Sequence, residues 1–332
     1  MNRSIASEVV TPAARAIRSK SYGESTMTLS WQHRPHALHT YENELLRFTV
    51  VSSYDLNTGS GSFSREKMRN LLWRLTASLL RIAFLLYLAL FAVGIFLSDR
   101  YIFLPRPSSY KDTPEFLRLT SEDGNKITAL YLFNPTAKFT LMISHGNAED
   151  LGDDRDWYDD LRTAGFSVMA YDYEGYGTSE GKPSEKRTYQ NESAVYSYLV
   201  TKVKTPAERI IAFGKSVGTG PAVHIAAERP MAGLILQSPF TSAFRVLTHL
   251  PILPIDKFPN YKSIRHVHCP VLIIHGTVDS VIPVWHGKEL YELANEPKSF
   301  LWVNGANHND VEEVAGETYI KTLQTFAASL PQ

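Results

Sequence analysis

Gly214-Lys215-Ser216-Val217-Gly218 is the stretch that decides the fold of this 332-residue chain. It follows an apolar, strand-like run at residues 210–213 and precedes a helix-like run at residues 221–227. In the pattern Gly-x-Ser-x-Gly between a strand and a helix, the serine occupies a sharp turn, and the glycines let the two backbones pass close to it. The pattern therefore predicts a parallel α/β sheet with Ser216 as an exposed nucleophile.

The same residues resemble the end of a phosphate-binding loop, Gly-x-x-x-x-Gly-Lys-Ser/Thr. That loop requires a glycine five residues before Gly214, and the chain has Arg209 there. Without that glycine the loop cannot wrap its amides around a phosphate, so nucleotide binding is not predicted.

A nucleophilic serine needs a base, and the base needs an orienting acid. Asp279 follows the apolar strand-like run 271–276, and His308 follows the next such run, 299–303. Loops after the strands of a parallel sheet lie at one edge, and the order Ser, Asp, His fits this elbow architecture. We expect Ser216, Asp279 and His308 to converge.

Each assignment has an alternative. Asp279 also suits a turn or a helix cap, and Asp310 is the nearest substitute acid. Of the eleven histidines, only His308 follows a strand that comes after the acid.

The oxyanion formed during acyl transfer needs backbone N–H donors. One is expected from Val217, directly after the nucleophile, and one from the loop after the predicted strand 140–145. Gly146 permits a turn in that loop, which points to the amide of Asn147. The side chain of Asn147 could alternatively serve only to brace the loop.

Composition excludes several classes of function. The 34 basic and 34 acidic residues cancel, which gives no support for nucleic-acid binding. The single cysteine, Cys269, allows no internal disulfide. No Cys/His spacing resembles a metal site, and the predicted chemistry requires no cofactor.

Residues 82–97 are sixteen residues without a charge. Extended to residues 71–97, the run includes Arg74 and Arg81 and is long enough to cross a bilayer. We expect a single retained transmembrane anchor; the alternative is a signal peptide cleaved after the small residues 92–94. Slightly more basic residues precede the run than follow it, which favours a cytoplasmic N-terminus.

Residues 1–67 differ from the rest of the chain. Residues 26–31 and 45–51 are strand-like, and residues 57–64 have the composition of a flexible linker. We expect a flexible N-terminal extension without its own core. Met68 directly precedes the apolar run, so translation starting there would yield a chain with anchor and enzyme intact.

Strands alternating with helices over residues 101–332 predict a mostly parallel sheet with helices on both faces. Two of these helices are expected at residues 151–163 and 184–202. A hairpin turning at Asp123-Gly124 is expected to open this domain. Residues 238–268 lie where such a fold carries a cap, and they are rich in proline and apolar side chains. Either they form a short cap that leaves the nucleophile open, or they pack the sheet edge.

Residues 101–330 resemble the α/β-hydrolase-fold serine hydrolases, and in particular the membrane-anchored, short-capped subgroup that includes protein depalmitoylases and bacterial relatives. The matching motifs are residues 145–148, 171–185, 214–219, 237–242, 275–279 and 308–310. The resemblance implies Ser216 as nucleophile, Asp279 as acid and His308 as base. Animal depalmitoylases of this subgroup anchor through an N-terminal cysteine cluster, whereas this chain carries a hydrophobic span.

The sequence thus predicts a membrane-anchored serine hydrolase that cleaves a carboxylic ester or thioester, borne by a lipid or an acylated protein, through an acyl-enzyme on Ser216. One alternative is a serine peptidase like the prolyl aminopeptidases. Its amine site would need acidic residues in the cap, where the chain offers only Asp256. The other alternative is a catalytically silent binding module on the same fold.

Overall fold

The computed structural model describes residues 64–249 and 252–331. The predicted strands and linker before residue 64 lie outside these ranges, as do Leu250 and Pro251 of the predicted cap. Residues 65–67, which the sequence assigns to the extension, form the first turn of a helix. Ser64 begins that helix because its hydroxyl accepts a hydrogen bond from Lys67 N at 3.3 Å.

That first helix, α1, runs from Arg65 to Phe96. An 18-residue window in it has a mean hydropathy of 2.4, and only 6% of the window is buried. The core helix of a soluble protein is apolar but mostly buried, whereas α1 is apolar and exposed. By length and composition α1 is a candidate membrane span. A short helix, α2 (Ser98–Ile102), connects it to the rest of the chain.

Eight strands form one sheet in the order β1-β2-β4-β3-β5-β6-β7-β8. The strands are β1 Phe116–Thr120, β2 Lys126–Leu132, β3 Thr140–Ser144, β4 Ser167–Tyr171, β5 Ile210–Lys215, β6 Gly233–Gln237, β7 Val271–Gly276 and β8 Lys298–Val303. β1 and β2 form the predicted antiparallel hairpin, β2 pairs antiparallel with β4, and the strands from β4 to β8 pair in parallel. This is the α/β-hydrolase fold that the sequence predicts.

Helices cover both faces of the sheet. They are α3 Arg155–Thr163, α4 Glu185–Tyr198, α5 Thr219–Glu228, α6 Ala243–Thr248, α7 Asn260–Ser263, α8 Trp285–Leu293, α9 Val311–Ala315 and α10 Glu317–Ser329. Side chains of β5 alternate between the two cores: Ile210 packs with α4, α5 and α8, whereas Ile211 packs with α3 and α10. A parallel strand buried on both faces reads as a continuous apolar run, which is why β5 is recognisable in the sequence.

Two predicted helices have different bounds in the structure. The helix expected at residues 151–163 begins at Arg155, because the Asp150 carboxylate accepts hydrogen bonds from Gly152 N and Asp153 N and holds a turn there. The helix expected at residues 184–202 is α-helical to Tyr198 and ends in a wider π-turn.

Residues 238–268 combine the two arrangements that the sequence left open, a short cap and packing of the sheet edge. Phe240 and Phe258 are buried in the core beneath α4 and α5. Leu247 on α6, by contrast, is 82% exposed. The segment therefore packs the sheet edge with some of its residues and raises α6 as a short cap with the others.

Candidate active site

Ser216 lies at the turn between β5 and α5 with a φ of +53°, a backbone conformation that residues other than glycine rarely adopt. Glycine is required on both sides of Ser216 because backbone atoms approach closely there. A Cβ on Gly214 would lie 2.5 Å from Gly218 O, and a Cβ on Gly218 would lie 2.0 Å from Ser144 O. The turn thus presents Ser216 at the carboxyl edge of the sheet, as the sequence pattern predicts.

The structure brings together the three predicted side chains. Ser216 Oγ lies 2.9 Å from His308 Nε2, and His308 Nδ1 lies 2.8 Å from Asp279 Oδ2. This is the relay arrangement in which a histidine can take a proton from a serine while a carboxylate fixes its tautomer. Asp310, the substitute acid, instead accepts a hydrogen bond from Asn307 N at 2.6 Å and shapes the loop.

Asp279 is 5% exposed and is held as a carboxylate. Its Oδ1 accepts hydrogen bonds from Val281 N at 2.9 Å and Ile282 N at 2.7 Å. Burial by itself raises the pKa of Asp279, but hydrogen bonds from His275 and His308 outweigh it, so the pKa falls well below its ordinary value. A buried acid that stays ionised can stabilise an imidazolium on His308.

His275 is a member of this site to which sequence reasoning gave no role. Its ring is buried at the end of β7, and Nε2 lies 2.8 Å from Ile282 O and 3.3 Å from Asp279 Oδ2. It therefore contacts the same carboxylate oxygen of Asp279 as His308 Nδ1 and helps to fix the position of the acid. The motif His275-Gly-Thr-Val-Asp279 was the available signal.

Val217 and Asn147, whose amides are the predicted oxyanion donors, both line the pocket around Ser216. Within the described part of the chain, neither amide donates to a protein acceptor. The Asn147 side chain does brace the loop. Its Nδ2 donates to Ile102 O at 2.7 Å, and its Oδ1 accepts from Leu104 N at 2.9 Å. Asn147 thereby ties the loop to the segment that follows α2.

Lys215 and Glu149 form a second link that sequence reasoning missed. Lys215 Nζ lies 2.9 Å from Glu149 Oε1 and 3.5 Å from Asp154 Oδ1, and Glu149 Oε2 accepts from Gly146 N at 2.9 Å. Burial by itself raises the pKa of Glu149, but the Lys215 ammonium outweighs it and holds the pKa below its ordinary value. The pair connects the nucleophile turn to the loop that carries Asn147.

The pocket around Ser216 has a volume of about 420 Å³. Among the described residues, no group of three or more His, Cys, Asp or Glu side chains could hold a metal ion. The groups that line this pocket or contact Ser216 through the relay include His308, Asp279 and the backbone amides of Val217 and Asn147. This set can carry out acyl transfer.

Comparisons with known proteins place the chain among hydrolases. Residues 135–253 match the family described as serine aminopeptidase, S33. Alpha/beta hydrolase domain-containing protein 17B of Xenopus laevis is 42% identical over 225 residues, which cover 67% of this chain and 77% of that protein. The human protein of the same name is 41% identical with the same coverage.

Solved structures agree on the fold. An esterase of Pyrococcus furiosus has a TM-score of 0.58 and 20% identity, over 68% of this chain and 98% of its own. Est1E of Butyrivibrio proteoclasticus, with ferulic acid bound, has a TM-score of 0.53 and 18% identity, over 64% of this chain and 99% of its own. At such identities the likeness shows the fold alone.

Proposed function

The chain belongs to the alpha/beta hydrolase family, and on that premise we propose that it is a membrane-anchored serine hydrolase that cleaves a carboxylic ester or thioester. The observation that carries the proposal is the continuous relay Ser216–His308–Asp279, with contacts of 2.9 Å and 2.8 Å. A silent binding module would have no need for an intact relay beside two unpaired amides.

In the proposed reaction, His308 Nε2 accepts the hydroxyl proton as Ser216 Oγ attacks the substrate carbonyl carbon. The amides of Val217 and Asn147 donate hydrogen bonds to the resulting oxyanion. The imidazolium then gives its proton to the leaving alcohol or thiol as the C–O or C–S bond breaks. Water, deprotonated by His308, attacks the acyl-enzyme, which releases the carboxylic acid and restores Ser216.

The proposed location rests on α1. Its apolar, exposed surface suits a single span, and the excess of basic residues on the N-terminal side of its uncharged run favours a cytoplasmic N-terminus. Membrane lipid would then surround the helix, and the hydrolase domain would lie on the opposite side. The resemblance to protein depalmitoylases adds acylated proteins to lipids as substrates to be tested.

A serine peptidase is the second candidate, because the family matched by residues 135–253 is described as a serine aminopeptidase. Recognition of a substrate amine requires a free carboxylate beside the nucleophile. Among the residues that line the pocket, Glu149 is already paired with Lys215. The cap acid, Asp256, lines a neighbouring cavity rather than the pocket around Ser216. These positions favour the esterase or thioesterase.

The proposal can be tested on the full-length protein with a fluorophosphonate probe and a substrate panel. We expect the probe to modify Ser216. We also expect p-nitrophenyl esters and acyl thioesters to be hydrolysed faster than aminoacyl p-nitroanilides. Faster cleavage of the anilides would favour the peptidase, and failure to modify Ser216 would contradict both enzymes.

A further inference from the structure

A second cavity, of about 210 Å³, lies between the end of α1 and the cap. Its walls are almost entirely apolar. The residues that form them include Leu90, Val93, Gly94, Phe244, Leu253 and Ile255. Three of these belong to α1, the candidate membrane span. The cavity is therefore bounded by a helix that is itself suited to lipid.

This cavity adjoins the pocket around Ser216. Four residues line both: Tyr101, Ile102, Ala243 and Leu247. They come from α2, which follows the span, and from α6, the raised part of the cap. A chain-like ligand that passes between these shared residues would have one end in the apolar cavity and the other at Ser216.

The contact that shapes the cavity is close. Gly94 is buried, and a Cβ there would lie 3.0 Å from Leu253 Cδ1 and 3.4 Å from Ile255 Cδ1. A glycine at this position lets α1 approach the cap to a distance that a larger residue would prevent. The contact joins the span to the hydrolase domain.

The charged side chains at the cavity wall already have partners. Arg245 pairs with Glu289 at 3.3 Å and stacks on the ring of Tyr261 at 4.1 Å. Asp256 Oδ1 accepts a hydrogen bond from Lys257 N at 2.9 Å. The Arg245 charge is thus compensated by Glu289, and the mostly apolar wall suits an uncharged ligand.

The outer side of the cavity is also apolar. Leu247 is 82% exposed and Ile252 is 49% exposed, and both lie at the cavity wall beside the end of the span. One exposed leucine has no special meaning. Leu247 and Ile252, however, lie beside an apolar cavity whose wall includes the candidate membrane span α1. Together they form an apolar rim that suits contact with the membrane surface.

We infer that this cavity holds the hydrocarbon tail of a membrane-embedded ester or thioester, and that the tail leaves the bilayer alongside α1 while its carbonyl reaches Ser216. The inference rests on the proposed function and adds the route and the seat of the acyl chain. A tail that passes from lipid into an apolar cavity stays out of water throughout, so its transfer carries little hydrophobic cost. A short, water-soluble acyl group gains little from the cavity.

Photocrosslinking of the full-length protein in phosphatidylcholine vesicles tests the inference. The probe is a fluorophosphonate with a palmitoyl-length alkyl chain and a diazirine at the chain end. We expect it to modify Ser216 and, on illumination, to crosslink to residues 90–102 or 243–256. Crosslinks confined to the loop at residues 278–282 or to lipid, with Ser216 modified, would overturn the inference alone. Failure to modify Ser216 would overturn the proposed function as well.

Cavity-filling substitutions give a second readout. We expect Gly94→Leu to lower the ratio of kcat/KM for p-nitrophenyl palmitate to that for p-nitrophenyl butyrate by about tenfold, because the added side chain occupies the cavity. Leu253→Trp fills it from the cap and should act in the same direction. Ala92→Leu, an exposed position on α1 away from the cavity, is the matched control and should keep the wild-type ratio. An unchanged ratio in both filled variants would refute the assignment.

Discussion

The nucleophile turn after β5 and the joint between α1 and the cap are built in opposite ways. At the turn, hydrogen bonds and glycine contacts fix each reacting atom, as the 2.9 Å contact between Ser216 and His308 illustrates. At the joint, Gly94 packs against the apolar side chains of Phe244, Leu253 and Ile255, and one ion pair, Lys257 Nζ to Asp99 Oδ1 at 2.9 Å, links the cap to α2. On the proposed function, the directional bonds would set which chemistry is performed, and the apolar packing would set which molecules reach the site.

The largest effect is expected at the nucleophile turn. Ser216→Ala and His308→Ala should each lower kcat by about three orders of magnitude or more, and the double variant should be little worse because the relay acts as a unit. Steady-state kinetics with p-nitrophenyl butyrate measure this. Additive losses in the double variant would mean that the two residues act independently.

Asp279 and Asp310 form a matched pair for testing the acid. Asp279→Asn should lower kcat about as much as His308→Ala or somewhat less, since an amide favours the wrong imidazole tautomer. Asp310→Asn should keep most of the activity, because Asp310 contacts the loop backbone rather than His308. The reverse order of effects would assign the acid to Asp310.

A smaller loss is expected where the turn is linked to the oxyanion loop. Lys215→Met removes the cation between Glu149 and Asp154, so it should lower kcat by about ten- to a hundredfold through displacement of the Asn147 amide. Lys215→Arg keeps the charge and should recover part of the activity. If Lys215→Met leaves kcat unchanged and only lowers the melting temperature, the pair stabilises the fold without positioning the loop.

Removal of α1, and with it the joint to the cap, is expected to have the smallest effect on the turnover of small esters. A chain that begins at Tyr101 keeps every proposed catalytic group and should hydrolyse p-nitrophenyl butyrate within about threefold of the full chain, in soluble form. The full chain, and one that begins at Met68, should remain in the membrane pellet after carbonate extraction. Full-length protein recovered in the supernatant with an N-terminus near Ile95 would instead indicate a cleaved signal peptide.

Much of the fold and of the candidate site follows from local patterns in the sequence. The buried strands are continuous apolar runs, and Gly214 and Gly218 mark a turn where a Cβ would collide with nearby backbone. The order of Ser216, Asp279 and His308 along the chain then places all three on one sheet edge, where the structure brings them within hydrogen-bond distance. Their catalytic roles stay predictions.

Contacts between distant residues could not be predicted in this way. The pairing of Lys215 with Glu149 and the packing of Gly94 on Leu253 join segments far apart in the sequence, and no periodicity encodes them. The prediction that α3 begins at residue 151 was wrong for a related reason. There the Asp150 side chain competes for the backbone amides that a helix would leave free.

The double attachment of Asn147 has a mechanical consequence. Its side chain is bonded to Ile102 O and to Leu104 N, on either side of Phe103. With α1 in a bilayer, we expect a tilt or vertical shift of the helix to pass through α2 to these two bonds, and so to the loop that carries the Asn147 amide. Bilayer thickness influences the tilt of a spanning helix. We therefore expect the turnover rate of the full chain to change with bilayer thickness, and that of a chain beginning at Tyr101 to stay constant.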